Sequence, residues 1–128
     1  MTFTLGFNSI ARLRTCDPQL QRVVELALSH SDVDFSVVEG LRSRENQQKN
    51  IDNGVSWTMD SKHIADETGY SRAVDIYPWV DGATSHDAEH YKRIAKAMFR
   101  ACQELNVELE WGGFWRNPRE DSPHWELT

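Results

Sequence analysis

One apolar stripe constrains this chain more than any other feature: Tyr91, Ile94, Met98, Cys102 and Leu105 recur at helical spacing beyond Ser85, a residue able to cap a helix start. A helix apolar on one face must bury it against a second layer. The other apolar stretches show what that layer is. Residues 35–38, closed by Gly40, read as a strand, as do residues 73–77, which Pro78 cuts off because proline cannot donate to a sheet ladder. Residues 107–111 and 124–127 are short strand candidates.

Two more helices are predicted. Asp17-Pro18 reads as an N-cap followed by proline at the first helical position, and Leu20, Val23, Val24, Ala27 and Leu28 follow at the helical period, ending near Ser29. Ser43 with Asn46 to Asn50 reads as a polar helix stopped at Asn53-Gly54. The order predicts an α+β fold, a small antiparallel sheet with about three helices packed around it. A chain of 128 residues can close one hydrophobic core, so residues 1–128 are expected to form a single domain.

Charge and hydropathy exclude several partners. A net charge of −6 opposes binding to phosphate backbones, so nucleic acid is not an expected partner. No apolar run approaches the ~20 residues of a membrane helix. Residues 1–10 lack the basic start and apolar stretch of a secretory signal, so the chain is expected to begin its life in the cytosol. Cys16 and Cys102 have no second Cys at the spacing of a zinc knuckle or redox pair and are expected as buried free thiols.

Residues 54–71 and 112–123 are long and irregular, and such segments inside a compact domain are usually functional. A catalytic zinc site typically takes three protein ligands and leaves a fourth position for water. His63 and His124 lie at loop-to-strand transitions beside acidic residues, and Asp75 lies in an otherwise apolar strand, where a carboxylate needs a cation. That cation can be a metal or the head of a Lys or Arg. Asp121, three residues before His124, would stand beside whatever His124 binds, placed to take a proton from metal-acidified water. Arg42 at the end of the first strand can bind a substrate carboxylate or steady a developing oxyanion.

A competing pattern, His86-Asp87-Ala88-Glu89-His90, matches an H-x-x-E-H metalloprotease signature. It falls in the first turns of a helix, where acidic residues favour the helix dipole, and reads as a solvated helix start.

Ser61-Lys62-His63, Arg72-Ala73-Val74-Asp75 and Asp121-Ser122-Pro123-His124-Trp125-Glu126 resemble, in order, the three signature blocks of the zinc D,D-carboxypeptidase and L-alanyl-D-glutamate endopeptidase family, to which phage endolysins belong. Gly40-Leu41-Arg42-Ser43 with Gln47 resembles the family's arginine block, and Trp111-Gly112-Gly113 with Trp115 its tryptophan-glycine block. Phe3-Thr4-Leu5-Gly6 and Asn53-Gly54-Val55-Ser56 resemble the phage endopeptidase branch.

The resemblance implies His63, Asp75 and His124 as ligands of one zinc ion, Asp121 as general base and Arg42 as the residue that steadies the carbonyl or substrate. It implies a peptidoglycan stem peptide as substrate, cut between L-alanine and D-glutamate by an endolysin that reaches the periplasmic wall after another protein permeabilises the membrane; the chain is expected to act as a monomer. D-alanyl-D-alanine carboxypeptidase or dipeptidase activity, and a non-catalytic wall-binding module, are the alternatives.

Two positions depart from the family pattern. His63 and Asp75 stand twelve residues apart where the family has seven, and the insert Ala65-Asp66-Glu67-Thr68-Gly69-Tyr70-Ser71 admits Asp66 or Glu67 as a substitute ligand or as a holder of a second cation such as calcium. Phe114 stands where the family block commonly continues with Asp, so the orientation of a ligand must be supported from elsewhere. The five tryptophans, Trp57, Trp79, Trp111, Trp115 and Trp125, can line the cleft as well as the core, and the core is the expected place for any one of them.

Overall fold

The computed structural model describes residues 3–128; Met1 and Thr2, at the start of the stretch read for a leader, lie outside the described residues. Helix α2 (Pro18–His30) begins as its sequence dictates, with the Asp17 carboxylate accepting from Gln19 N at 2.8 Å and Pro18 in the first turn. Helix α3 (Arg44–Asp52) is capped by Ser43, whose hydroxyl accepts from Asn46 N, and ends before Gly54 at φ 73°. Helix α4 (Ala88–Leu105) carries the apolar stripe. Its cap is Asp87, accepting from Glu89 N, and not Ser85, which instead accepts from Asp87 N one step earlier. Asn106 closes α4 in the left-handed conformation, φ 56°, a region asparagine tolerates.

A helix that sequence periodicity does not announce precedes these. Helix α1 (Phe7–Leu13) spans seven residues, too few to show a period, and makes four helices where about three were expected. It packs against strand β1 (Phe35–Glu39) through the buried Ser9, whose hydroxyl accepts from Val37 N at 3.0 Å.

The sheet is antiparallel throughout, in the order β1, β2 (Ala73–Val80), β5 (His124–Leu127), β4 (Leu109–Trp111), with the short β3 (Ala83–Thr84) folded back on the end of β2. Strand β2 runs through Pro78 and does not stop there. The reason is register: Trp79 N donates to Asp34 O on the β1 side, whereas the carbonyl of Pro78 accepts from Ser85 N on the other. The missing N–H of Pro78 therefore faces away from the β1 ladder, and the proline ring is buried at no cost to it.

Between α2, α4 and the sheet lies one apolar cluster that includes Leu20, Val23, Val37, Val74, Ile76, Ile94, Met98 and Trp125. Cys16 and Cys102 are buried in it as free thiols, and burial pushes them up to about 12 and about 11. Each large side chain removed from water contributes roughly 1.5–3 kcal/mol, which makes this layer a stiff floor beneath the sheet. On that floor one register row crosses three strands: Glu39 of β1 stands opposite Asp75 of β2, and Asp75 opposite His124 of β5.

Candidate metal centre

Three donors converge at that row. His63 enters from the long loop before β2, Asp75 from the middle of β2 and His124 from the first position of β5, and one ligand atom from each lies within 4.8 Å of the other two. His63 Nε2 is 3.1 Å and His124 Nδ1 3.2 Å from the same oxygen, Asp75 Oδ1. Two ligands each about 2 Å from a tetrahedral ion stand ~3.3 Å apart, so these separations suit a small cation. Both imidazoles are buried. Two imidazoles and a carboxylate are also the donor chemistry of a catalytic zinc site, so the residues present fit the group that the sequence implies.

The outer nitrogens of the imidazoles are held as well. His63 Nδ1 donates to Gly40 O at 2.7 Å, which turns Nε2 toward Asp75. His124 Nε2 donates to Glu126 Oε1 at 2.8 Å, which leaves Nδ1 facing the same point. Burial disfavours charge on Asp75, but hydrogen bonds from His124 and His63 outweigh it and hold the carboxyl well below the usual carboxylate range. Burial likewise opposes a charged His124, yet its bonds to Asp75 and Glu126 carry it up to about 9, so a metal ion here competes with a proton.

Asp121 stands beside the three donors without being one of them. Its backbone is pinned on both sides, Asp121 N donating to Gly112 O at 2.9 Å and His124 N to Asp121 O at 3.1 Å. Burial, then the neighbouring Asp75 charge, raises its pKa above the ordinary carboxylate value, with His124, His63 and Arg42 opposing the shift. Gly112 is the residue that permits this approach, since a Cβ there would lie 2.3 Å from Asp121 O and 3.1 Å from the Cβ atoms of Asp121 and His124.

Arg42 is tied to the loop that supplies His63 by Arg42 N donating to His63 O at 2.7 Å. Its guanidinium donates to Gln47 Oε1 at 2.6 Å and to Glu39 Oε1, leaving the buried Nε with no protein partner among the described residues. Gln47, fully buried, uses its other end to donate to Ser56 Oγ and Thr58 O, so one amide fixes both the arginine and the start of the long loop.

Against known proteins, the family model described as phage L-alanyl-D-glutamate peptidase matches residues 1–127. The chain belongs to that family. The L-alanyl-D-glutamate peptidase of Escherichia phage T5 is 36% identical over 119 residues, covering 90% of this chain and 83% of the relative. The crystal structure of the Serratia marcescens L-Ala D-Glu endopeptidase ChiX superposes with a TM-score of 0.88 at 39% identity, covering 100% of this chain and 90% of the other.

In this member of the phage peptidase family the insert after His63 supplies no donor. The metal-type group contains Asp75 and neither Asp66 nor Glu67, and no second group of three such donors forms among the described residues. Asp66 instead accepts from Thr68 N and Thr68 Oγ1 within its own exposed turn, which holds its carboxyl below the ordinary value. The H-x-x-E-H stretch is equally dispersed: His90 Nδ1 meets Ser85 Oγ at 2.6 Å, His86 packs edge-on to Tyr77, and Glu89 pairs with Arg93.

The tryptophans divide. Trp111 and Trp125 stack in the core with centroids 5.5 Å apart, whereas Trp115 lies tilted against His124 at 5.1 Å. Trp57 and Trp79 are exposed, contrary to a core placement. Trp57 carries the Arg119 guanidinium 3.9 Å above its ring, a cation–π contact that joins the two long loops.

Sequence reasoning assigned no role to Glu39, Gln47, Lys62 or Glu126. Gln47, Lys62 and Glu126 lie inside motif blocks, but their partners are set by tertiary contact. Glu39 becomes visible only through the register that sets it opposite Asp75.

Proposed function

We propose that this protein is a zinc-dependent peptidoglycan hydrolase of the phage endolysin type, cutting the L-alanyl-D-glutamate bond of the stem peptide. What carries this is the convergence of His63, Asp75 and His124 beside a second, half-buried carboxylate, Asp121, that lies outside the donor group, in a chain whose relatives are L-alanyl-D-glutamate peptidases. All three donors come from one chain, which supports action as a monomer, and the one apolar cluster found among the described residues supports reading the chain as one catalytic unit.

Zinc held by these residues supplies Lewis-acid polarisation of the scissile carbonyl and acidifies water. The protein's own groups do the rest. Asp121, with its pKa raised by burial, takes a proton from the attacking water and delivers it to the leaving amine of D-glutamate. Arg42, held by Gln47 and Glu39, presents a fixed positive charge for the carbonyl oxygen or a substrate carboxylate. Gly40 and Glu126 keep the imidazoles turned inward.

The test is mass spectrometry of Gram-negative peptidoglycan digested with the protein, with a chelator and with zinc added back. Stems reduced to L-alanine on the glycan, lost on chelation and restored by zinc, are the expected products. Release of terminal D-alanine would move the protein to the carboxypeptidase branch, and no cleavage would leave a wall-binding module.

A further inference from the structure

The metal-type donors are tied together on their inner side by Asp75, and the structure shows a second tie on the outer side. In β5 the side chains of His124 and Glu126, two residues apart, project from the same face, which lets Glu126 Oε1 accept from His124 Nε2 at 2.8 Å. The other carboxylate oxygen, Glu126 Oε2, is 3.2 Å from Lys62 Nζ. Lys62 also donates to Leu127 O at 2.7 Å and is the residue immediately before His63. A closed circuit results: His63 to Asp75, Asp75 to His124, His124 to Glu126, Glu126 to Lys62, and Lys62 back to His63 along the backbone.

We propose that Glu126, charge-paired with Lys62, is the positioning residue of the metal centre, fixing His124 with Nδ1 toward the metal and clamping the loop that carries His63 to the strand that carries His124. Glu126 meets the nitrogen on the far side of the imidazole from Asp75, so its place is that of a support and not of a ligand or base. Its side chain is 13% exposed, and Lys62 satisfies the oxygen that His124 leaves free. The clamp also answers the departure at Phe114: that side chain is 71% exposed and stacks on Phe99, so it supports no ligand, and Glu126 occupies the orienting role. Carboxylate partners of this kind typically change metal affinity by about 10–100-fold when removed.

This inference rests on the reading of the three donors as a zinc site, and the test separates the two. Zinc affinity is measured by competition with a chromophoric chelator for the wild type, Glu126→Ala, Glu126→Gln and Lys62→Met, with the thermal midpoint of each chelated protein recorded alongside. Expected are tight zinc binding by the wild type, a loss of about 10–100-fold in Glu126→Ala and recovery of most of it in Glu126→Gln, whose amide oxygen still accepts from Nε2. Lys62→Met should fall between them, and the metal-free midpoints should stay close together. A wild type that binds no zinc overturns the zinc reading itself. Wild-type affinity in Glu126→Ala, or a loss that Glu126→Gln does not recover, overturns the positioning role alone; so does a Glu126→Ala loss matched by an equal fall in metal-free stability, since that marks a fold residue.

Discussion

Asp121 and Gly112 show how much of this centre depends on single positions. Because Asp121 lies outside the three-donor group, Asp121→Asn should keep zinc stoichiometry, read by atomic absorption, while kcat on purified peptidoglycan falls by about 10²–10⁴-fold. An active Asp121→Asn would remove the base assignment. Gly112→Ala tests the close approach that brings Asp121 beside His124: its Cβ meets the Asp121 carbonyl oxygen at 2.3 Å, so backbone must move. Overpacking of this kind costs about 1–3 kcal/mol, and denaturant unfolding together with a drop in kcat should register it. The motif blocks name most of these residues, because chemistry demands their types. Glu39 and Gln47 escaped a role because an acidic strand residue and a polar helix residue have no signature until their partners are placed.

Among the elements, legibility followed length and capping chemistry. Helices α2 and α3 were readable from Asp17-Pro18 and Ser43, whose side chains satisfy backbone donors that the helix itself leaves free. Asp17→Ala should therefore cost about 1 kcal/mol in urea unfolding without changing zinc affinity, since α2 contributes no donor. Helix α1 was not readable, as seven residues give too few turns for a period. The run of β2 through Pro78 is not legible in the sequence for a related reason: proline forbids donation, but only register decides whether a donor is needed. The cap of α4 lies two residues beyond Ser85, because Ser85 and Asp87 are both competent caps and the backbone selects between them.

Two measurements belong to the whole molecule. Zinc that binds the folded chain and not the unfolded one stabilises it by mass action, by about 4 kcal/mol at 1,000 times Kd, so the thermal midpoint should rise by several degrees with zinc and fall back on chelation. The second is alkaline. The Cys16 thiol, ordinarily at 9.0, is pushed to about 12 by burial, so above pH 9 the unfolded chain loses a proton that the folded chain keeps. Stability then declines as pH rises through the window from 9 to about 12, by up to about 1.4 kcal/mol per pH unit for this group. Cys102, Tyr91 and Tyr77 are raised as well and add slope of the same sign. Denaturant unfolding at stepped pH should show a shallower decline in Cys16→Ala than in the wild type; equal slopes would refute the assignment.

By itself the sequence determined the class of the fold, the helices long enough to have a period, and the residue types of the site, because periodicity, capping and donor chemistry are local properties. Tertiary structure alone decided that Glu39, Asp75 and His124 share one register row, that His63, Asp75 and His124 converge while Asp66 and Glu67 stay apart from them, and that Glu126 and Lys62 stand behind His124. These are contacts between segments far apart in the chain, and a one-residue slip in the register of β5 would turn His124 and Glu126 to the opposite face.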